Sequence, residues 1–175
     1  IGGAEDRTGE REILQRVVAM AAKDAPTVGV ITTASGYPEE VFASYETVFA
    51  ELGAGRTRHL NMRDREDARD AGLVELVGDC DVLFMSGGDQ LRLTNVLGGS
   101  PVLDAMRLAN ADGALIAGTS AGAPCMSSTM IYDGQAADAL RKGAVRMTAG
   151  LDFAQGVVID SHFLERGRFT RLMEV

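Results

Sequence analysis

Apolar residues along this chain alternate between two spacings, and the alternation sets the expected fold class. Ile13, Leu14, Val17, Val18 and Ala21 recur at helical intervals, Ala25-Pro26 breaks the pattern, and a short apolar run follows from Val28 to Thr33. A second helix is expected from Pro38, a residue suited to a first helical turn. Glu39 and Glu40 favour the positive end of its dipole, and its stripe is Val41, Phe42, Tyr45, Val48, Phe49 and Leu52, with Gly53 placed to stop it. A strand is expected around His59 to Met62, then a helix near Asp67 to Val77, then the fully apolar strand Val82-Leu83-Phe84-Met85. Helical patterns at Asp89–Leu97 and Pro101–Ala109 lead to a strand at Ala114–Ala117 and a small-residue helical stretch at Ala121–Met130, and Gly156–Ile159 reads as the last clear strand. Short apolar runs alternating with helices imply an α/β fold: a mostly parallel sheet with helices on both faces, a three-layer sandwich.

At 175 residues, with no repeat, low-complexity tract or long linker, the chain reads as one domain over 1–175. Both ends read as cut. Ile1-Gly2-Gly3 looks like the end of a strand entering a loop, and Met173-Glu174-Val175 stops inside an amphipathic pattern. A signal peptide would lie upstream, so the chain carries no information on secretion.

Composition removes several function classes. No apolar run approaches the ~20 residues that span a bilayer, so no membrane partner is expected. The 17 basic and 25 acidic residues give a net charge of −8, which argues against non-specific nucleic-acid binding and is compatible with a cationic ligand. Cys80 and Cys125 form neither a CxxC nor a Cys/His cluster, and the chain has only two histidines, so no metal site is expected.

In parallel α/β sheets ligands bind beyond the carboxyl ends of the strands, where three segments carry chemistry. Gly118-Thr119-Ser120-Ala121-Gly122 follows a strand and has the GxSxG form, in which a sharp turn lifts the serine hydroxyl out and leaves the next N–H free for an oxyanion. Ser120 is the expected nucleophile, and His59 or His162 must supply its base. His59 lies on a mid-chain strand among Arg56, Arg58 and Arg63, whereas His162 follows the run Val157-Val158-Ile159-Asp160 and emerges at a strand end, so His162 is the expected base. The third segment, Ser86-Gly87-Gly88-Asp89-Gln90, would let backbone amides near Gly88 join the N–H of Ala121 as an oxyanion hole.

Together with Ile1-Gly2-Gly3-Ala4-Glu5-Asp6 and Ile159-Asp160-Ser161-His162-Phe163-Leu164-Glu165-Arg166-Gly167-Arg168, these segments resemble the cyanophycinases, over essentially the whole chain and in order. That family shares a serine peptidase family with peptidase E and a fold with class I glutamine amidotransferases. The resemblance implies hydrolysis of cyanophycin, a polyaspartate with arginine on each side-chain carboxyl, to β-aspartyl-arginine dipeptides. It implies Ser120 as nucleophile, His162 as base, Gly88 and Ala121 at the oxyanion hole, and Gln90, Asp160, Ser161, Arg166, Arg168 and Arg171 at the substrate pocket. It implies no cofactor, and a homodimer, since relatives are dimers. Arginines suit bidentate recognition of carboxylates, and an acid suits a guanidinium.

This chain has Ser161 where many relatives carry glutamine. The resemblance implies a triad completed by a glutamate beyond the histidine, expected past Val175. Peptidase E places its acid between serine and histidine, where Asp133 is the nearest carboxylate in offset and Asp138 a poorer fit. Two other readings therefore stay open, a peptidase E-like α-aspartyl dipeptidase and a catalytically silent peptide-binding domain. A generic α/β-hydrolase ranks lower, because the chain is short and has no HGGG-type oxyanion motif.

Overall fold

The computed structural model describes residues 1–134, 144–164 and 166–173. Its elements run α1 (Glu12–Ala19), β1 (Thr27–Ile31), α2 (Pro38–Glu51), β2 (Arg56–Leu60), α3 (Ala71–Gly78), β3 (Val82–Met85), α4 (Gln90–Leu97), α5 (Pro101–Ala111), β4 (Leu115–Gly118), β5 (Thr129–Asp133) and β6 (Arg146–Ala149), with short 3-10 turns between. The first four strands form one sheet in the order β2-β1-β3-β4, every pairing parallel, while β5 and β6 pair antiparallel as a separate ribbon.

Strand periodicity divides the core in two. Val28, Val30, Val82 and Phe84 face α1 and α2, where they meet Leu14, Val17, Tyr45, Val48 and Phe49. Ile31, Leu83 and Met85 face the opposite way, onto α3, α4 and α5 through Val77, Leu93, Leu97, Val102 and Met106. Helices on both faces of a parallel sheet give the expected three layers. Because β1 and β3 are neighbours from which the order runs outward in both directions, the crevice for a ligand lies at their carboxyl ends.

Three expected elements differ. The edge strand β2 begins at Arg56 rather than His59, because its exposed and half-exposed first residues hide its start in the hydropathy pattern. The expected helix at Ala121–Met130 is instead two 3-10 turns, Ser120–Gly122 and Pro124–Met126, followed by β5. Pro124 lacks the N–H that a continuing helix would need, and Thr129 and Ile131 suit a strand. The expected strand at Gly156–Ile159 forms no ladder. A single bridge pairs Ser127 with Ala154, and Ile159 N–H donates to the Ser127 hydroxyl at 3.0 Å, because the neighbouring chain turns away into β5. Among the described residues no helix is long and apolar enough to cross a membrane.

Candidate active site

β4 ends at Gly118, and the chain turns within two residues. A Cβ at Gly118 would run into the carbonyl oxygen of Gly122, and one at Gly122 into that of Met85, so both glycines of the pentapeptide are fixed by close backbone packing. Between them Ser120 holds φ +50°, a conformation that few residues other than glycine adopt and that marks a strained strand-to-turn elbow. His162 is likewise held at φ +53°. These two strained residues meet: Ser120 Oγ lies 2.8 Å from His162 Nε2. For Nε2 to accept the serine proton, the imidazole must carry its own proton on Nδ1.

The amino-terminal segment braces the pair from both sides. Ile1 O accepts from the Ser120 N–H at 3.2 Å and Gly2 O from the His162 N–H at 2.7 Å. Gly3 lies against the imidazole, so that a Cβ there would sit 2.5 Å from Nε2. Glu5 then bridges the Tyr45 hydroxyl and the Thr119 hydroxyl, one carboxylate oxygen to each. Burial first, and then the Glu5 charge, push the Tyr45 phenol above its usual range, keeping it a donor. Ile1–Asp6 carries part of the family resemblance, but its sequence assigns it no role in the site. Nothing local to a Gly-Gly-Ala-Glu-Asp run signals that it returns to an elbow more than a hundred residues away.

Gly87 and Gly88 follow β3, Gly87 packed against the elbow and Gly88 against the Ala34–Ser35 backbone. Gly87 approaches the Ser120 side chain, with a built Cβ 3.1 Å from Ser120 Cβ, and Gly88 holds φ +142°. Neither the Gly88 N–H nor the Ala121 N–H has a hydrogen-bond partner among the described residues. Burial pushes the Cys80 and Cys125 thiols up to about 12, so neither competes as a nucleophile at neutral pH.

The expected pocket residues split into two groups. Asp160 and Arg171 are paired with each other: Arg171 Nε reaches Asp160 Oδ2 at 2.5 Å and its second nitrogen reaches Oδ1, with side chains only 1% and 3% exposed. Arg171 also donates to Gly134 O, and Arg168 donates to Ser161 O at 2.9 Å and lies 3.7 Å from Asp160. Burial, then the Arg171 charge, lower the Arg168 guanidinium from its usual range against the pull of Asp160. Ser161 is buried, with its N–H on Asp160 Oδ1, and Gln90 Nε2 donates to Tyr132 O. Arg166, by contrast, is exposed. Asp133 pairs with Arg146 across the β5–β6 ribbon and caps Gly134 N–H; Asp138 lies outside the described residues.

The open space beside Ser120 and His162 is a cleft of about 280 Å³ whose walls come from elsewhere: Glu5, Arg7, Val41, Tyr45 and Thr119. It stands at the small end of the ~300–1,000 Å³ typical of ligand sites.

A serine at a strand-to-turn elbow, hydrogen-bonded to a histidine at the carboxyl end of a parallel sheet, defines the class: an α/β domain with a serine–histidine pair at its elbow. The chain belongs to peptidase family S51, whose model matches residues 1–175. It is 37% identical over 174 residues to a cyanophycinase of Geminocystis herdmanii, covering 99% of this chain and 64% of that protein, and 36% identical to one of Nostoc sp., covering 99% and 58%. The chain thus spans about three fifths of the length of these curated relatives. The fold is shared with a peptidase from an acI-B1 actinobacterium (TM-score 0.81, 23% identity, 99% of this chain and 72% of that one). It is also shared with a putative peptidase E protein of Listeria monocytogenes (TM-score 0.58, 18% identity, 89% and 79%).

Proposed function

We propose that this chain carries the nucleophile and base of a serine exopeptidase that hydrolyses cyanophycin to β-aspartyl-arginine dipeptides. The observation that carries the reading is the 2.8 Å contact between Ser120 Oγ and His162 Nε2 at a strained elbow. The substrate comes from the cyanophycinases to which the chain is similar.

In this mechanism Ser120 Oγ attacks the aspartyl main-chain carbonyl carbon while its proton passes to His162 Nε2. The carbonyl oxygen becomes an oxyanion held by the Gly88 and Ala121 N–H groups. His162 returns the proton to the leaving amine as the C–N bond breaks, leaving an ester on Ser120. Water attacks that ester, gives its proton to His162, and the dipeptide acid departs as Ser120 is reprotonated. No step calls for a metal or an organic cofactor.

A fluorophosphonate probe should label wild-type chain and fail on Ser120→Ala. Hydrolysis of cyanophycin should fall at least about a thousandfold in Ser120→Ala and by a similar factor in His162→Ala, with the double variant little worse, because residues acting as a unit are not additive. Labelling that survives Ser120→Ala would refute this nucleophile. A wild-type chain that binds the polymer without being labelled would make the domain a silent binder. Cleavage of free α-aspartyl dipeptides in preference to the polymer would make it peptidase E-like.

A further inference from the structure

Two charged side chains line the cleft beside the catalytic pair, and they are in different states. Glu5 is committed, with its oxygens on Tyr45 and Thr119. Arg7 is not. Its guanidinium lies over the Tyr45 ring, 5.2 Å from the centroid, and one of its nitrogens donates to Ser44 Oγ at 3.3 Å. Among the described residues it joins no ion pair, whereas Arg11 holds Glu51, Arg107 holds Asp104, and Arg168 and Arg171 share Asp160. A guanidinium has five N–H donors in a planar fork, and a cation–π position over a ring uses none of them. The cleft that holds the nucleophile therefore also presents a guanidinium whose donors are largely unspent.

We propose that Arg7 is a specificity-determining residue that binds a carboxylate of the peptide whose acyl group Ser120 attacks. This rests on Ser120 being the nucleophile and adds a contact to that reading. A chain of net charge −8 repels anionic groups at long range, so a carboxylate entering the cleft needs a local cation, and Arg7 is the unpaired one there. The Tyr45 ring and the Ser44 hydroxyl keep this exposed side chain beside the cleft. A branched aspartyl-arginine polymer offers two carboxylates that fit, the α-carboxylate of each branch arginine and the carboxyl terminus of the main chain. Both present the same bidentate partner.

The test is steady-state kinetics on the full chain, comparing wild type, Arg7→Met and Arg7→Lys. Three short substrates are needed: a β-aspartyl-arginine oligomer, its analogue with agmatine in place of each arginine, and its carboxy-terminal amide. Wild type should show a KM about tenfold higher for the analogue that lacks the bound carboxylate, the size expected of one charge-assisted contact at a partly open site. Arg7→Met should raise KM for the parent by a similar factor with a smaller change in kcat, and should no longer distinguish the parent from that analogue. Arg7→Lys should recover part of the loss. Discrimination against the agmatine analogue assigns the branch carboxylate; discrimination against the amide assigns the chain end. Equal losses in Arg7→Met on all three substrates, or a KM that does not move, would overturn the proposal. Fluorophosphonate labelling of wild type separates the two failures: a labelled enzyme indifferent to Arg7 loses only this inference, while an unlabelled one loses the nucleophile beneath it.

Discussion

On one side of the Ser120–His162 pair, Asp160 and Arg171 are almost wholly buried and bonded to each other. On the other, Arg7 lies over an aromatic ring in an open cleft and joins no ion pair among the described residues, the nearby Glu5 being bonded to Tyr45 and Thr119. Both sides carry arginine, and they use it in opposite ways. The closed side ties Arg171 to Asp160 and Gly134 and Arg168 to Ser161, fixing the two residues immediately before His162. His162, at φ +53°, follows directly on those two tied residues, and its own N–H is held by Gly2 O. Paired guanidinium and carboxylate groups tie the chain before His162 together, and in the proposal above Arg7 is left for the substrate.

The largest effect should come from breaking the closed side. Arg171→Met leaves the Asp160 carboxylate buried with the Ser161 N–H and Arg168, 3.7 Å away, as its remaining described partners. Removing one partner of such a pair costs about 3–5 kcal/mol, so the denaturant midpoint should drop sharply and labelling of Ser120 should slow as His162 loosens. Replacing both, Asp160→Leu with Arg171→Met, removes the stranded charge and should recover most of the stability. If Arg171→Met unfolds at the wild-type midpoint, the pair is not structural, and the contrast between the two sides collapses.

This contrast also explains which parts of the molecule could be read from sequence. Apolar runs buried on both faces, such as Val82–Met85, and amphipathic stripes such as that of α2 are local patterns, and they were placed correctly. So was the elbow, because GxSxG between a strand and a turn is a local steric requirement. The stretches 121–130 and 156–159 defeated the same reasoning. The first has helix-like composition interrupted by Pro124. The second has strand-like composition but no neighbour with which to form a ladder. The resemblance implies Arg168 and Arg171 at the substrate pocket; in the structure Arg171 is bonded to Asp160 and Arg168 donates to Ser161 O, contacts no local pattern announces. Pattern reading cannot tell a paired charge from a free one, since the pairing residue can lie anywhere in the chain. Arg7, isolated in sequence, was invisible for the same reason.

A middle-sized effect should come from the wall between the two sides. Tyr45→Phe keeps the ring packed on Phe49 and Phe84 but deletes the hydroxyl that donates to Glu5. The loss of a hydrogen bond to a carboxylate that remains partly solvated is worth about 1–2 kcal/mol. Glu5 would then hold Thr119 alone, and the elbow should loosen. We expect a modest fall in unfolding free energy and a several-fold slower labelling of Ser120. Unchanged labelling would mean that the elbow's own backbone packing is sufficient and that Glu5 only fills space.

The smallest effect concerns His59, which serves as the control for His162. Its Nε2 shares a hydrogen bond with Thr32 Oγ1 at 2.8 Å, and its ring stacks on Phe42 at 4.3 Å. Burial lowers its pKa below the ordinary 6.5, against the opposing charges of Glu39 and Glu46. The folded state therefore binds fewer protons than the unfolded chain between that lowered value and 6.5. Stability from this group is present above pH 6.5 and is lost as the pH falls through the folded pKa. Because the ring is only partly buried, the slope should stay well under the ~1.4 kcal/mol per pH unit of one full proton. Unfolding midpoints measured from pH 7.5 to 5 should fall slightly more in wild type than in His59→Gln, while kcat at pH 7.5 stays close to wild type. A His59→Gln variant that loses activity as His162→Ala does would place a second histidine in the chemistry and undo the assignment of the pair.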